Sequence, residues 1–200
     1  MELGDMDWTN VTIKNVPEAQ AVALKEWRTN VMGNDGKVGL WIYGPRGVGT
    51  SFAAKVIIGR LAFDDGYDDR VHHVEANDLV RSLRKTWDGG AQVRAHAEDD
   101  GLWREVQERE MSIEFLFYEA PVLWIDDLHH ETIDWNIWRK QFQPLVERRA
   151  KHRQPTVIST TLPPTHSWLP KGVIDLHFVT AGMLVEMSRT GYDDTDADEY

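Results

Sequence analysis

The feature that most restricts this chain is a glycine loop, Gly44-Pro45-Arg46-Gly47-Val48-Gly49-Thr50-Ser51, set between an apolar run and a helical one. The run before it, Val38 to Tyr43, reads as a short buried strand, and Ser51 to Ile58 after it as a helix. In that context backbone N–H groups turn inward and the helix N-terminus adds partial positive charge, which makes a cradle for phosphate. The candidate phosphate-binding residues are Gly44, Arg46, Gly47, Gly49, Thr50 and Ser51. The pattern G-x-x-x-x-G-K-[ST] is met at both outer glycines and at Ser51, and fails at Thr50, where a lysine is expected. A hydroxyl offers a dipole where lysine offers a full charge, and a charge-assisted hydrogen bond contributes about 1.5–3 kcal/mol. Backbone and metal contacts can still hold a nucleotide; fast hydrolysis becomes doubtful. Arg46 is the candidate substitute cation, whereas Lys55 is expected to point away.

The rest of the chain repeats the strand–helix alternation. Asn15-Val16-Pro17-Glu18 has the form of a helix N-cap, and Ala21, Leu24, Trp27 and Val31 follow at helical spacing. Further strands are expected at Val71–Val74, Pro121–Ile125, Thr156–Thr160 and Met183–Met187. Helical faces are read from Leu79, Val80, Leu83 and Trp87, from Leu102, Val106, Ile113 and Phe117, and from Trp135, Trp138, Phe142 and Leu145. Pro144 should kink the last of these. Asp64 to Asp69 reads as a loop. Alternation of this kind implies an α/β fold with a parallel sheet. The expected divisions are an extension over 1–14, a core over 15–190 and an acidic, disordered tail over 191–200.

Composition narrows the setting. The chain has 200 residues, no cysteine and a net charge of −11, which exclude disulfides, thiol chemistry and wholesale binding of polyanions. It shows no apolar run long enough to span a bilayer and no signal peptide, so a cytoplasmic protein without a membrane partner is expected. The charge is uneven: Arg139, Lys140, Arg148, Arg149, Lys151 and Arg153 crowd one stretch with Glu147 as its single acid. The pairs His72-His73 and His129-His130 are not read as metal sites, because neighbours on a strand face opposite ways.

The second chemical signal is the apolar run Val122-Leu123-Trp124-Ile125 closed by Asp126-Asp127. Asp126, with Ser51, is the candidate Mg²⁺ ligand, and Asp127 the group that orients or deprotonates an attacking water. With these pieces the chain resembles the AAA+ ATPases of the DnaC/IstB type, the bacterial and phage helicase loaders and transposition helpers. The resemblance runs from about Ala21 to Tyr192, through Gly44–Ser51, Val122–Leu128, Trp135–Arg149 and Pro155–Pro163. It implies an AAA+ core with a five-stranded parallel sheet flanked by helices and no separate helical lid. It also implies ATP or ADP with Mg²⁺ as cofactors, Thr160 or Thr161 as the polar reader of the γ-phosphate, and Arg149, with Arg148 adjacent, as the basic residue acting on a neighbour's nucleotide.

Three departures stand out: Thr50 replaces the lysine, the segment Gly172–His177 lacks the family's arginine, and a loader's N-terminal helicase-binding domain is not expected in a core beginning at about residue 15. The implied function is an ATP-dependent DNA-replication accessory protein, a nucleotide-dependent oligomer on single-stranded DNA with a replicative helicase as partner. The alternative is a degenerate AAA+ scaffold that binds DNA or protein without hydrolysis. A small-molecule P-loop kinase fits the Asp126-Asp127 strand and the Pro155–Pro163 string less well. Arg81, Arg84, Lys85 and Trp87 are the candidate nucleic-acid contacts, since cations beside an aromatic suit a single strand; a packed tryptophan with solvated cations is the competing reading.

Overall fold

A computed structural model describes residues 18–33, 38–66, 70–82, 115–129, 135–167, 169, 178 and 182–188. Five strands, β1 (Gly39–Tyr43), β2 (Val71–Glu75), β3 (Val122–Leu128), β4 (Thr156–Thr160) and β5 (Gly182–Glu186), form one sheet of order β2-β3-β4-β1-β5. Every pairing is parallel. Side-chain alternation divides the strands between two cores. Leu40, Ile42, Val71, Val122, Trp124, Val157 and Val185 face α1 (Glu18–Gly33) and α2 (Thr50–Asp65). Trp41, Leu123, Ile125 and Ile158 face the other layer, where Leu79, Val80, Leu145, Val146 and Phe178 pack. Among the described residues no helix is long and apolar enough to cross a membrane.

Helix α1 forms where its apolar spacing predicts, burying Ala21, Leu24, Trp27 and Val31. Helix α2 is buried nearly all round, as a helix caught between a sheet and another helix must be. It runs past the expected loop boundary and takes in Asp64 and Asp65, ending at Gly66 in the left-handed conformation (φ 72°). Arg28 explains the extra turn: its guanidinium donates to both oxygens of Asp65 at 2.5 and 2.6 Å and ties α1 to the end of α2. The buried tryptophans each satisfy their indole N–H, Trp27 on Val38 O, Trp41 on Leu162 O and Trp124 on Ser159 Oγ. Residues 76–82 are helical, as expected there, and Phe115–Glu119 forms a π-helical turn.

Helix α3 (Trp135–Lys151) continues through Pro144 without a break. The proline removes only the bond to the carbonyl of Lys140, and both residues lie on an exposed turn. Near its end Arg149 is fully buried. Nε donates to Thr156 Oγ1 at 2.8 Å, Nη1 to Ala120 O at 3.0 Å and Nη2 to Pro155 O at 2.8 Å. Burial pulls its pKa down to about 9, so the guanidinium remains charged at neutral pH. This corrects the expectation that Arg149 reaches a neighbouring subunit. It is spent inside its own chain, pinning α3 under the entrances of β3 and β4. The adjacent Arg148 is the exposed one, its guanidinium 4.0 Å from the centre of the Tyr118 ring.

Arg149→Met strands those backbone acceptors and should cost at least about 2 kcal/mol of stability, since an unsatisfied buried polar group costs roughly 1–3 kcal/mol. Arg148→Ala should cost under about 1 kcal/mol, the scale of an exposed cation–π contact. Urea unfolding of both variants checks this contrast; equal losses would contradict the structural role of Arg149.

Candidate nucleotide site

The carboxyl ends of the parallel strands gather the chemistry, as they do in open α/β sheets. β1 delivers the glycine loop there. Gly44 has no room for a side chain, because a Cβ would lie 2.3 Å from Met187 O and 2.9 Å from Val48 Cγ2. Gly47 (φ 84°) and Gly49 (φ 91°) adopt left-handed backbone that glycine takes without strain. Val48 N–H donates to Pro45 O at 3.3 Å, closing the loop as a turn, and Arg46 projects into solvent. Helix α2 starts at Thr50 with Gly49 as N-cap and has no side-chain cap. Its first helical bond is Ala53 N–H to Gly49 O at 2.8 Å, so the N–H groups just before it lack intrahelical acceptors.

β3 brings Asp126 to the same face. Its carboxylate accepts from the Ser159 hydroxyl and, on Oδ1 at 2.9 Å, from the Asp127 backbone N–H. His73 Nε2 stands 3.8 Å from Oδ2, and the Ser51 hydroxyl lies within interacting range. Burial pushes this carboxyl up, but His73, the Ser159 and Ser51 hydroxyls and the Asp127 N–H together hold it below its ordinary value. A hydroxyl and a carboxylate oxygen converge here at the mouth of the phosphate loop. That donor set fits Mg²⁺, which takes one or two protein oxygens and fills the rest with water and phosphate.

Strand β3 is irregular beyond this point. Its register with β4 shifts between Ile125 and Leu128, and Asp127 takes a left-handed conformation with φ 58°. The Asp127 side chain is exposed and paired with His129 Nε2, while His129 Nδ1 contacts Thr161 Oγ1 at 3.0 Å. A carboxylate only accepts, so Nε2 carries a proton in this arrangement.

No protein-family model matches the sequence, and no curated protein gives a significant match. Solved structures do. A DnaC helicase loader superposes with a TM-score of 0.63 at 19% identity, covering 90% of this chain and 98% of that one. A DNA replication initiation factor gives 0.65 at 15% identity, and the initiator DnaA bound to AMPPCP and single-stranded DNA gives 0.64 at 16%. This chain covers 50% and 49% of those two proteins, so it spans about half their length.

The chain has the AAA+ fold.

Within the AAA+ core the structure brings Ser51 and Asp126 together and sets Asp127 beside them. It does not bring Thr160 there. Thr160 is buried, donates to Leu128 O at 2.5 Å and accepts from Leu162 N–H at 2.9 Å, so its hydroxyl is committed to backbone. One residue along a strand reverses the face, and Ser159 is the hydroxyl that meets Asp126. Thr161, the alternative reader, contacts His129. Arg81 is exposed and pairs with Asp78 at 3.5 Å, and Arg84, Lys85 and Trp87 lie outside the described residues. Sequence reasoning missed Ser159, His73 and His129 as parts of this site. Strand alternation from Trp124 and Asp126 could have found His73; nothing local in the sequence marks Ser159.

Because the folded-state pKa of Asp126 is lowered, its ionised form stabilises the fold above the unfolded value near 3.8, and that stability is lost as pH falls through the folded value. Ser159→Ala removes a donor to the charged form. It should cost about 1.5–3 kcal/mol at pH 7, the scale for a hydrogen bond to a charged group. The cost should shrink on acidification through that window. Urea titrations at several pH values check this, and a pH-independent difference would mean that the hydroxyl serves something other than the ionised carboxylate.

Proposed function

We propose that this protein is an AAA+ DNA-replication accessory factor, similar to helicase loaders, that binds ATP or ADP with a divalent cation and assembles with nucleotide on single-stranded DNA in the cytoplasm. The observation that carries this reading is the meeting of the Ser51 loop and Asp126 at the carboxyl edge of a β2-β3-β4-β1-β5 parallel sheet. The glycine loop and the uncapped start of α2 hold the phosphates, Ser51 and Asp126 hold the cation, and Asp127 orients the attacking water. Its partners are a replicative helicase and further copies of the chain. With Arg149 buried, the basic residue offered to a neighbouring copy is Arg148.

Turnover is slow in this reading, because Thr50 stands where a lysine charge would act on the transferring phosphate, and losing such a donor costs roughly 10²–10³ in rate. Pairing of Asp127 with His129 favours the related reading of a scaffold that binds nucleotide without hydrolysing it.

Fluorescent ATP titrations with and without Mg²⁺ test the nucleotide site. The native chain should bind weakly, Thr50→Lys should tighten binding at least several-fold, and Asp126→Asn should abolish the Mg²⁺ dependence. An ordinary AAA+ hydrolysis rate in the native chain would overturn the argument from Thr50.

Single-strand binding is tested separately by anisotropy of labelled oligo-dT across a salt series. Affinity should fall with a log–log slope of roughly −0.7 per phosphate neutralised, and Arg81→Ala/Arg84→Ala should weaken it. Equal affinities for native and variant would move the contact to the basic stretch around Arg148–Arg153.

A further inference from the structure

A hydrogen-bonded chain of three side chains crosses the carboxyl ends of β3 and β4. His129 Nε2 pairs with Asp127 Oδ1, and His129 Nδ1 lies 3.0 Å from Thr161 Oγ1. The carboxylate only accepts, so the proton is on Nε2. In the neutral ring Nδ1 is then an acceptor, and the Thr161 hydroxyl is its donor. The chain therefore has a direction, from Thr161 through His129 to Asp127, and each bond in such a run strengthens the next. The backbone that carries it is pinned. Asp127 N–H donates to Asp126 Oδ1, and Leu128 O accepts from the buried Thr160 hydroxyl. Asp127 also keeps a left-handed φ of 58°, a conformation held where the surroundings fix it. What is left free to turn is side chain: Asp127 is 58% exposed and Thr161 half-buried, with the imidazole between them.

We propose that His129 is a positioning residue that couples Thr161 to Asp127: the ring holds the Asp127 carboxylate until the Thr161 hydroxyl turns to a terminal phosphate. This rests on the nucleotide reading above and adds a control on its water-orienting group. Thr161 is the hydroxyl able to make the exchange, because Thr160 is committed to backbone on both sides. A bond from a hydroxyl to a charged phosphate oxygen is roughly twice as strong as one to a neutral ring nitrogen. A ligand shifts such an equilibrium only through contacts it makes in one of the two states. ATP has the terminal phosphate that makes this contact, and ADP lacks it. Once Thr161 turns away, Nδ1 loses its donor, the hold on Asp127 weakens, and the carboxylate is released to water. In the hydrolytic step one proton of that water passes to Asp127 as the water oxygen bonds to the γ-phosphorus. The bond from that phosphorus to the bridging oxygen breaks, its electron pair stays on ADP, and Asp127 returns the proton to solvent.

The test is ¹⁵N NMR of the histidine rings in the native full chain, with the His129 ring assigned through its own backbone, as AMPPCP or ADP is added to saturation. In the free and ADP-bound chain the His129 Nδ1 signal should sit upfield, as a hydrogen-bonded acceptor. AMPPCP should move it downfield, toward a bare acceptor. Thr161→Val should give the downfield position without nucleotide and remove the response to AMPPCP. In a Thr50→Lys background, adding His129→Phe should raise kcat about tenfold and leave the KM for ATP unchanged, the pattern of a group that restrains the chemical step and not binding. Nδ1 unmoved by bound AMPPCP, or moved equally by ADP, would overturn the coupling and leave the nucleotide site standing. An unchanged kcat would overturn the restraint on Asp127. Failure of AMPPCP to bind would overturn the nucleotide reading, and the proposal with it. The ring spectrum of the native chain decides the coupling even if a variant does not fold.

Discussion

The Asp126 carboxylate is the constraint on which much of this structure turns. A charge removed from water has to be matched by donors, and they must come from elements far apart in sequence. Here β2 contributes His73, β4 contributes Ser159, and the start of α2 contributes Ser51. None of these can drift without leaving the charge uncompensated. The carboxylate therefore fixes the relative positions of a strand on either side of β3 and of the helix that follows the glycine loop. The bulge after Asp126 has the same origin. By turning its N–H back onto Oδ1, Asp127 gives up ladder geometry to satisfy the charge beside it.

The opposite edge of the sheet is held by a charge of the other sign. Arg149 occupies the entrances of β3 and β4 much as Asp126 occupies the exit of β3, each surrounded by oriented dipoles. The two differ in what surrounds them. Arg149 is enclosed and its donors go to backbone and a threonine. Asp126 is only partly buried and lies beside the start of α2, whose first N–H groups lack intrahelical acceptors. That difference separates a group whose work is structural from one available for ligand chemistry.

Much of this was legible in the sequence. All five strands begin within a residue of their expected places, because each is a short apolar run bounded by turn residues, and β3 runs three residues past its expected end at Ile125. The places of the glycine loop and of the acidic pair, each at the carboxyl end of a strand, were legible because each follows directly on a short apolar run. The failures share a cause: they depend on which way a side chain faces or how deeply it lies. Thr160 and Ser159 differ by one position and hence by one face of the sheet. Arg149 and Arg148 look alike in sequence, and only the docking of α3 buries one and exposes the other. Arg28, far from the acidic stretch in sequence, turned an expected loop into the last turn of α2.

The close approach at Gly44 has a mechanical consequence. With Met187 O where a Cβ would stand, and Met187 N–H donating to Tyr43 O at 2.7 Å, the root of the glycine loop and the exit of β5 are one clamped joint. The loop cannot pivot at its base without dragging the last strand along. Movement must be taken up further on, at Gly47 and Gly49, where the backbone is unhindered. The loop thus sits on a rigid mount that it shares with the last strand of the sheet.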